Sequence, residues 1–282
     1  MLTKEERKQL EITACKVRLG VIEAVYSANS GHPGGSLSAS DVFTWLYFKE
    51  MNVDPANPKW EGRDRFVLSK GHCAPGLYSV LAQRGFFPVE DLKTLRKIGS
   101  YLQGHPNMNL TPGVDMSTGS LGQGISTAVG MAMGAKRQGK GVRVYTLLGD
   151  GETQEGQVWE ALMCAAHYKL DNFLAIIDNN NLQIDGAIDK VMSPYPFDKK
   201  LEAFGLYTQV VDGHDFDALA EAFANARAEK GRPSAIVLKT TKGKGVSFME
   251  NNAGWHGKAP NEEQYNIAVA ELTAALQELE AK

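Results

Sequence analysis

The chain has 282 residues, 43% of them hydrophobic, enough to bury a substantial core in one large α/β domain or two small ones. A formal net charge of −3 excludes a chain built to hold nucleic acid or acidic membranes through bulk charge. No apolar run reaches the ~20 residues of a membrane span, and the charged N-terminus reads as a helix start rather than a signal peptide. Cys15, Cys73 and Cys164 have no paired spacing, which fits buried thiols in a reducing cytoplasm.

Thr3 and Glu6 have capping-box spacing and open a helix expected over residues 5–28. The run Ser30-Gly31-His32-Pro33-Gly34-Gly35 reads as a loop that closes it. A second helix is expected over 38–49, then a strand over 65–69 that stops at Lys70-Gly71-His72, then helices over 75–83 and 89–97. Residues 99–119 are irregular and rich in Gly, Pro, Asn and Ser, a length that marks a functional loop or lid. Residues 120–136 read as a helix of small residues, suited to close packing. Its positive dipole end faces whatever the preceding loop holds. Buried strands over 142–148 and 173–177 flank a helix over 156–170, making one right-handed βαβ unit. A strand (207–211), a helix (216–230) and a strand (234–240) follow, and the Gly/Lys loop 242–245 lacks Walker A spacing. An amphipathic helix over 262–279 closes the chain. The predicted fold is α/β: an open, mostly parallel sheet with helices on both faces, in a single domain over 1–282 with a C-terminal helical extension from about 260.

The βαβ unit carries the chemistry. Its strands end at Gly149-Asp150-Gly151 and Asp178-Asn179-Asn180, so Asp150 and Asn180 meet at one carboxyl edge, where open α/β sheets bind ligands. Asp150, Asn180 and the Leu182 carbonyl are a poor cage for a bare ion. They suit Mg²⁺ whose ligand brings phosphate oxygens. Gly151 has no side chain and lets a diphosphate approach its amide. Alone, Gly-Asp-Gly is a tight turn and Asn-Asn-Asn a polar loop; together, at this separation, they favour a metal–diphosphate site. His32, His72, His105 and His256 sit in Gly/Pro loops and can exchange protons near neutral pH. His167 and His214 read as structural, and no His-x-x-x-His or Cys-x-x-Cys spacing supports zinc.

Gly149-Asp150-Gly151, followed 30 positions after Asp150 by Asn180 and then Leu182, resembles the thiamin-diphosphate signature. Further matches narrow the resemblance to the transketolase family. They run in order: Asn29-Ser30-Gly31-His32-Pro33-Gly34, the stretch 64–72, Gly104-His105-Pro106, the stretch 118–125, Ile184-Asp185-Gly186 and His256-Gly257. The resemblance implies that Asp150, Asn180 and the Leu182 carbonyl bind Mg²⁺ (or Ca²⁺ or Mn²⁺), and that Gly151, His72 and His256 contact the diphosphate of thiamin diphosphate. It places Gly119, Ser120 and Leu121 beside the cofactor and Glu155 at the interface between cofactor sites. His105 would hold the hydroxymethyl end of a donor ketose, while His32 and His256 would move protons at its carbonyl and hydroxyl. The implied reaction carries a two-carbon ketol unit from a ketose phosphate to an aldose phosphate. Ser120 stands where proline is common in the family, Asn107 replaces an acidic residue, and Lys258 interrupts the usual His-Gly-Ala-Pro.

In full-length members a second α/β domain binds the aminopyrimidine ring. The sequence stops at residue 282, so the resemblance implies the N-terminal half of a split enzyme, active with a separate C-terminal subunit in an α₂β₂ assembly and requiring neither nucleic acid nor membrane. Two other readings stay open. One is a subunit of another enzyme using the same cofactor, such as 1-deoxyxylulose-5-phosphate synthase or the α chain of a 2-oxo-acid dehydrogenase. The other is a non-catalytic scaffold subunit.

Overall fold

A computed structural model describes residues 2–281. Helix α1 (Lys4–Ala28) starts where the Glu6 amide donates to Thr3 Oγ1 at 3.1 Å and the Thr3 amide donates back to Glu6 Oε2 at 2.9 Å. The glycine-rich run after it is not all loop. His32 precedes a short helix, α2 (Pro33–Ser38), because Pro33 is pre-set for a first turn and the glycines fit where side chains cannot. A Cβ at Gly34 would lie 2.9 Å from the Trp255 carbonyl, and one at Gly35 would lie 2.8 Å from Cys73 Sγ. The single helix expected over 38–49 is divided into α3 (Ser40–Trp45) and a π-turn over Leu46–Glu50. Ser36, Ser40 and Thr44 hydroxyls donate to carbonyls four residues back, a habit that bends helices.

Strand β1 (Arg65–Leu68) leads through a 3₁₀ turn to α4 (Ala74–Arg84). The helix expected over 89–97 is a 3₁₀ turn over Val89–Thr94, with Arg96 at φ 60° just beyond it. Helix α5 (Gly124–Arg137) begins four residues later than expected, because Gly122 takes φ 80° and its amide donates to Glu152 Oε1. Then come β2 (Val144–Gly149), a 3₁₀ turn over Gly151–Gln154, α6 (Gly156–His167) and β3 (Phe173–Asn179). The next stretch holds a short antiparallel hairpin of β4 (Leu182–Gln183) and β5 (Gly186–Ala187), followed by α7 (Ile188–Val191) and α8 (Phe197–Ala203). The chain ends with β6 (Tyr207–Asp212), α9 (Phe216–Ala228), β7 (Ser234–Lys239) and α10 (Glu262–Ala281).

The main sheet has the order β1-β2-β3-β7-β6, and every pairing in it is parallel. Successive side chains feed opposite faces. Tyr145, Leu147, Leu174 and Ile176 pack with residues of α1, α3, α4 and α9. Val144, Leu148, Ala175 and Ile177 pack with residues of α5, α6 and α8. Burial on both sides explains why these strands read as continuous apolar runs. Helix α10 lies on α1, where the Cys15 thiol donates to the Leu272 carbonyl at 3.1 Å and Tyr265 stacks on Tyr26 at 4.0 Å. Cys15 and Cys73 are buried and Cys164 is half-buried. Among the described residues, no helix is long and apolar enough to cross a membrane.

Candidate active site

Parallel pairing aligns Gly149 with Asp178, so the chain leaves β2 and β3 side by side. Asp150 Oδ2 accepts the Asn181 amide at 2.7 Å, and its Oδ1 accepts the Gly151 amide at 2.8 Å. Asn180 Nδ2 donates to Asp178 Oδ2 at 3.0 Å, which turns the amide oxygen away from Asp178 to accept the Leu182 amide at 3.2 Å. Asp150, Gly151, Asn180 and Leu182 thus line one cleft of about 200 Å³, together with His72, Leu121, Glu155 and His256.

The donors fit a divalent ion. All three are hard oxygens, and Asp150 is 2% exposed. Burial, then the neighbouring Asp178 charge, pushes its pKa up to about 7, the condition of a carboxylate short of positive charge. The Leu182 carbonyl also accepts from Lys242 Nζ at 3.2 Å and keeps a second lone pair. Gly151 is hemmed in as well as bare: a Cβ there would lie 3.2 Å from Gln183 Cβ. Gln154 Nε2 donates to Gln183 Oε1 at 2.7 Å, joining the turn after β2 to the β4–β5 hairpin across the rim.

The four loop histidines converge. Ring centres of His32 lie 5.2 Å from His72, 5.5 Å from His256 and 6.5 Å from His105, and His72 stacks on His256 at 5.0 Å. Burial lowers the pKa of each. Arg96 adds to the effect at His32, which falls to about 4, and Lys242 adds to it at His256, which falls to about 3. The rings are therefore neutral imidazoles near pH 7, each with one ring nitrogen able to accept a hydrogen bond. Buried His32 Nδ1 has no hydrogen-bond partner in the protein.

Gly119 and Ser120 do not line the deep cleft. Ser120 is exposed, and Gly119, at φ 153°, backs His105, where a Cβ would meet the ring at 3.0 Å. Glu155 is exposed at the rim and caps α6 without a side-chain bond. Of the two histidines read as structural, His167 is exposed and His214 is bonded on both ring nitrogens.

Four charged groups of the site are not singled out by the sequence. Lys70 and Asp178 form a buried pair under the cleft, Lys242 projects into it, and Glu152 anchors the 120s turn. Asp178 is the penultimate residue of β3, Lys70 stands two residues beyond β1 and Lys242 three beyond β7, so the sheet-edge argument that singles out Asp150 could have reached them. Glu152 carries no such signal.

Known proteins resemble this chain in sequence and fold. Residues 9–275 match the family model described as the transketolase thiamine diphosphate binding domain. The chain is 45% identical to the 6-deoxy-6-sulfo-D-fructose transketolase subunit SqwG of Clostridium sp. (strain MSTE9), over 95% of this chain and 98% of that one. It is 44% identical to an apulose-4-phosphate transketolase subunit of Phocaeicola vulgatus, over 96% of each. It superposes on transketolase from Campylobacter jejuni with a TM-score of 0.88 at 34% identity, covering 96% of this chain and 45% of that one. It therefore spans nearly the whole of these two subunits and under half of the C. jejuni enzyme. The chain belongs to the transketolase family.

Proposed function

We propose that the chain is the diphosphate-binding subunit of a two-chain, cytoplasmic transketolase that moves a two-carbon ketol unit from a ketose phosphate to an aldose phosphate. The observation that carries this reading is the convergence of Asp150 and Asn180 at one sheet edge, with four neutral histidines beside them. Asp150, the Asn180 amide oxygen and the Leu182 carbonyl would hold Mg²⁺ (or Ca²⁺ or Mn²⁺) against the diphosphate, with Gly151, His72 and His256 contacting that group. Lys242, buried in the same cleft, offers it a positive charge. Thiamin diphosphate, when bound, supplies a carbon nucleophile and an electron sink for breaking the bond beside a ketone.

The rest falls to the chain's own side chains. His32, with one ring nitrogen unpartnered, and His256, whose ring centre lies 5.5 Å away, would take a hydroxyl proton from the sugar and return it. His105, backed by Gly119, has its ring centre 6.5 Å from that of His32 and would hold the hydroxymethyl end of the donor. Glu155 and Leu121 stand at the open rim, where a second chain carrying the pyrimidine-binding site would close the cleft. Two relatives named as subunits support such a partner, and we take the assembly as α₂β₂.

The test assays the purified chain alone and with its C-terminal subunit, using a ketose phosphate donor and an aldose phosphate acceptor. Turnover only in the mixture is expected. Full turnover by the lone chain contradicts the split reading, and turnover of pyruvate without ketose phosphates contradicts the transketolase reaction.

A further inference from the structure

The loop after β7 touches two cavities. Lys242 enters the cleft, while Lys244 and Gly245 line a separate cavity of about 220 Å³ with Arg18, Asp41 and His214. His214 joins the two. The Thr241 amide donates to His214 Nε2 at 2.9 Å, so that nitrogen carries no proton, and Nδ1–H donates to Asp41 Oδ2 at 2.6 Å. Arg18 Nη2 donates to the same Asp41 oxygen at 2.5 Å, with Arg18 and Asp41 both buried. One helix supplies Arg18, another Asp41, and the turn after β6 supplies His214. The residue whose amide they grip, Thr241, immediately precedes Lys242.

A buried ion pair is a poor route to stability, because desolvation consumes much of the attraction. This one fixes the ring and tautomer of a histidine whose other face holds the Thr241 amide. Lys242 then extends to the Leu182 carbonyl at 3.2 Å and His256 Nδ1 at 3.1 Å. Further backbone bonds hold the loop around Lys242. The Asn251 amide donates to the Lys242 carbonyl at 2.9 Å, and the Gly243 amide donates to the Gly34 carbonyl at 3.0 Å. We propose that His214, locked by the Arg18–Asp41 pair, is a positioning residue that sets the direction in which Lys242 enters the cofactor cleft. The proposal rests on the cofactor reading above for what Lys242 does there.

The experiment uses the chain assembled with its C-terminal subunit. Thiamin diphosphate affinity in Mg²⁺ is measured by calorimetry, and amide exchange is measured over residues 240–246. Five proteins are compared: wild type, His214→Ala, His214→Gln, Lys242→Ala and the His214→Ala/Lys242→Ala double variant. His214→Ala is expected to speed exchange at Thr241 and to weaken binding about fivefold, the scale of one lost hydrogen bond. In the Lys242→Ala background the same change is expected to have almost no effect on affinity, because the group it positions is gone. His214→Gln, which can both donate and accept, is expected to restore binding. If His214→Ala does not fold, His214→Asn takes its place, being too short to reach both partners. Equal weakening in both backgrounds, or unchanged exchange, overturns the proposal. If wild type binds no cofactor, the cofactor reading fails, and exchange alone decides whether His214 holds the loop.

Discussion

Lys70 Nζ and Asp178 Oδ2 lie 2.5 Å apart beneath the cleft, with both side chains closed off from water. Lys70 also donates to the Gly35 carbonyl at 3.0 Å. Asp178 accepts from Ser38 Oγ at 2.6 Å, Asn180 Nδ2 at 3.0 Å and the Thr240 hydroxyl. Burial opposes both charges, yet each group holds its partner ionised: the Lys70 pKa lies above the usual lysine value and that of Asp178 below the usual carboxylate value. The pair therefore ties the ends of β1, β3 and β7 to α2, and it aims the Asn180 amide.

Removing one partner leaves an unpaired buried charge. Lys70→Met is expected to cost about 3–5 kcal/mol of unfolding free energy, because the buried carboxylate keeps its other hydrogen bonds but loses the cation paired with its charge. The double variant Lys70→Met/Asp178→Leu is expected to recover part of that loss. Urea unfolding followed by circular dichroism checks both. A single variant within ~1 kcal/mol of wild type would show that the pair is not coupled as its geometry requires.

Glu152 is a second buried carboxylate. Its Oε1 accepts from Ser69 Oγ at 2.5 Å and the Gly122 amide at 3.0 Å, and its Oε2 accepts from the Gly149 amide at 3.0 Å. In Glu152→Gln one amide hydrogen must face another N–H. A loss of about 1–3 kcal/mol is expected, the cost of one unsatisfied buried donor. Faster amide exchange at Gly122 and Gly149 would locate the damage at the turn that carries Leu121 into the cleft.

The histidine cluster has a pH signature. Folded pKa values of about 4 for His32 and about 3 for His256 lie below the ordinary histidine value of 6.5. Between those values and 6.5 the unfolded chain binds more protons, so these rings make stability fall as pH drops below 6.5. Asp150, raised to about 7, acts with the opposite sign in the same window. Comparing His32→Gln with wild type in thermal melts from about pH 7 to about pH 4.5 isolates one ring. The variant's curve is expected to fall less steeply, and parallel curves would contradict the assignment.

The sheet is legible in the sequence because its central strands are buried on both faces and end at glycine or polar runs. The meeting of Asp150 and Asn180 follows from that topology alone. Helix α2 is not legible, since Pro33-Gly34-Gly35 reads locally as a turn and becomes helical only where Trp255 and Cys73 leave no space for side chains. Lys70 and Asp178 each stand beside a legible residue, but their pairing spans 108 positions and depends on two strand ends lying in register. The β4–β5 hairpin is too short and polar to leave a period. The histidines read as one loop cluster, and only the folded chain brings their rings within contact.

The proposed metal–diphosphate clamp of Asp150 and Asn180 is tested most directly by Asp150→Ala in the complex with the C-terminal subunit. Ketol transfer is measured against Mg²⁺ and thiamin diphosphate, and assembly is checked by size-exclusion chromatography. The expected result is an intact complex whose activity is lost at cofactor concentrations that saturate wild type. Unchanged turnover with unchanged Mg²⁺ dependence would place the metal and the diphosphate elsewhere and contradict the site.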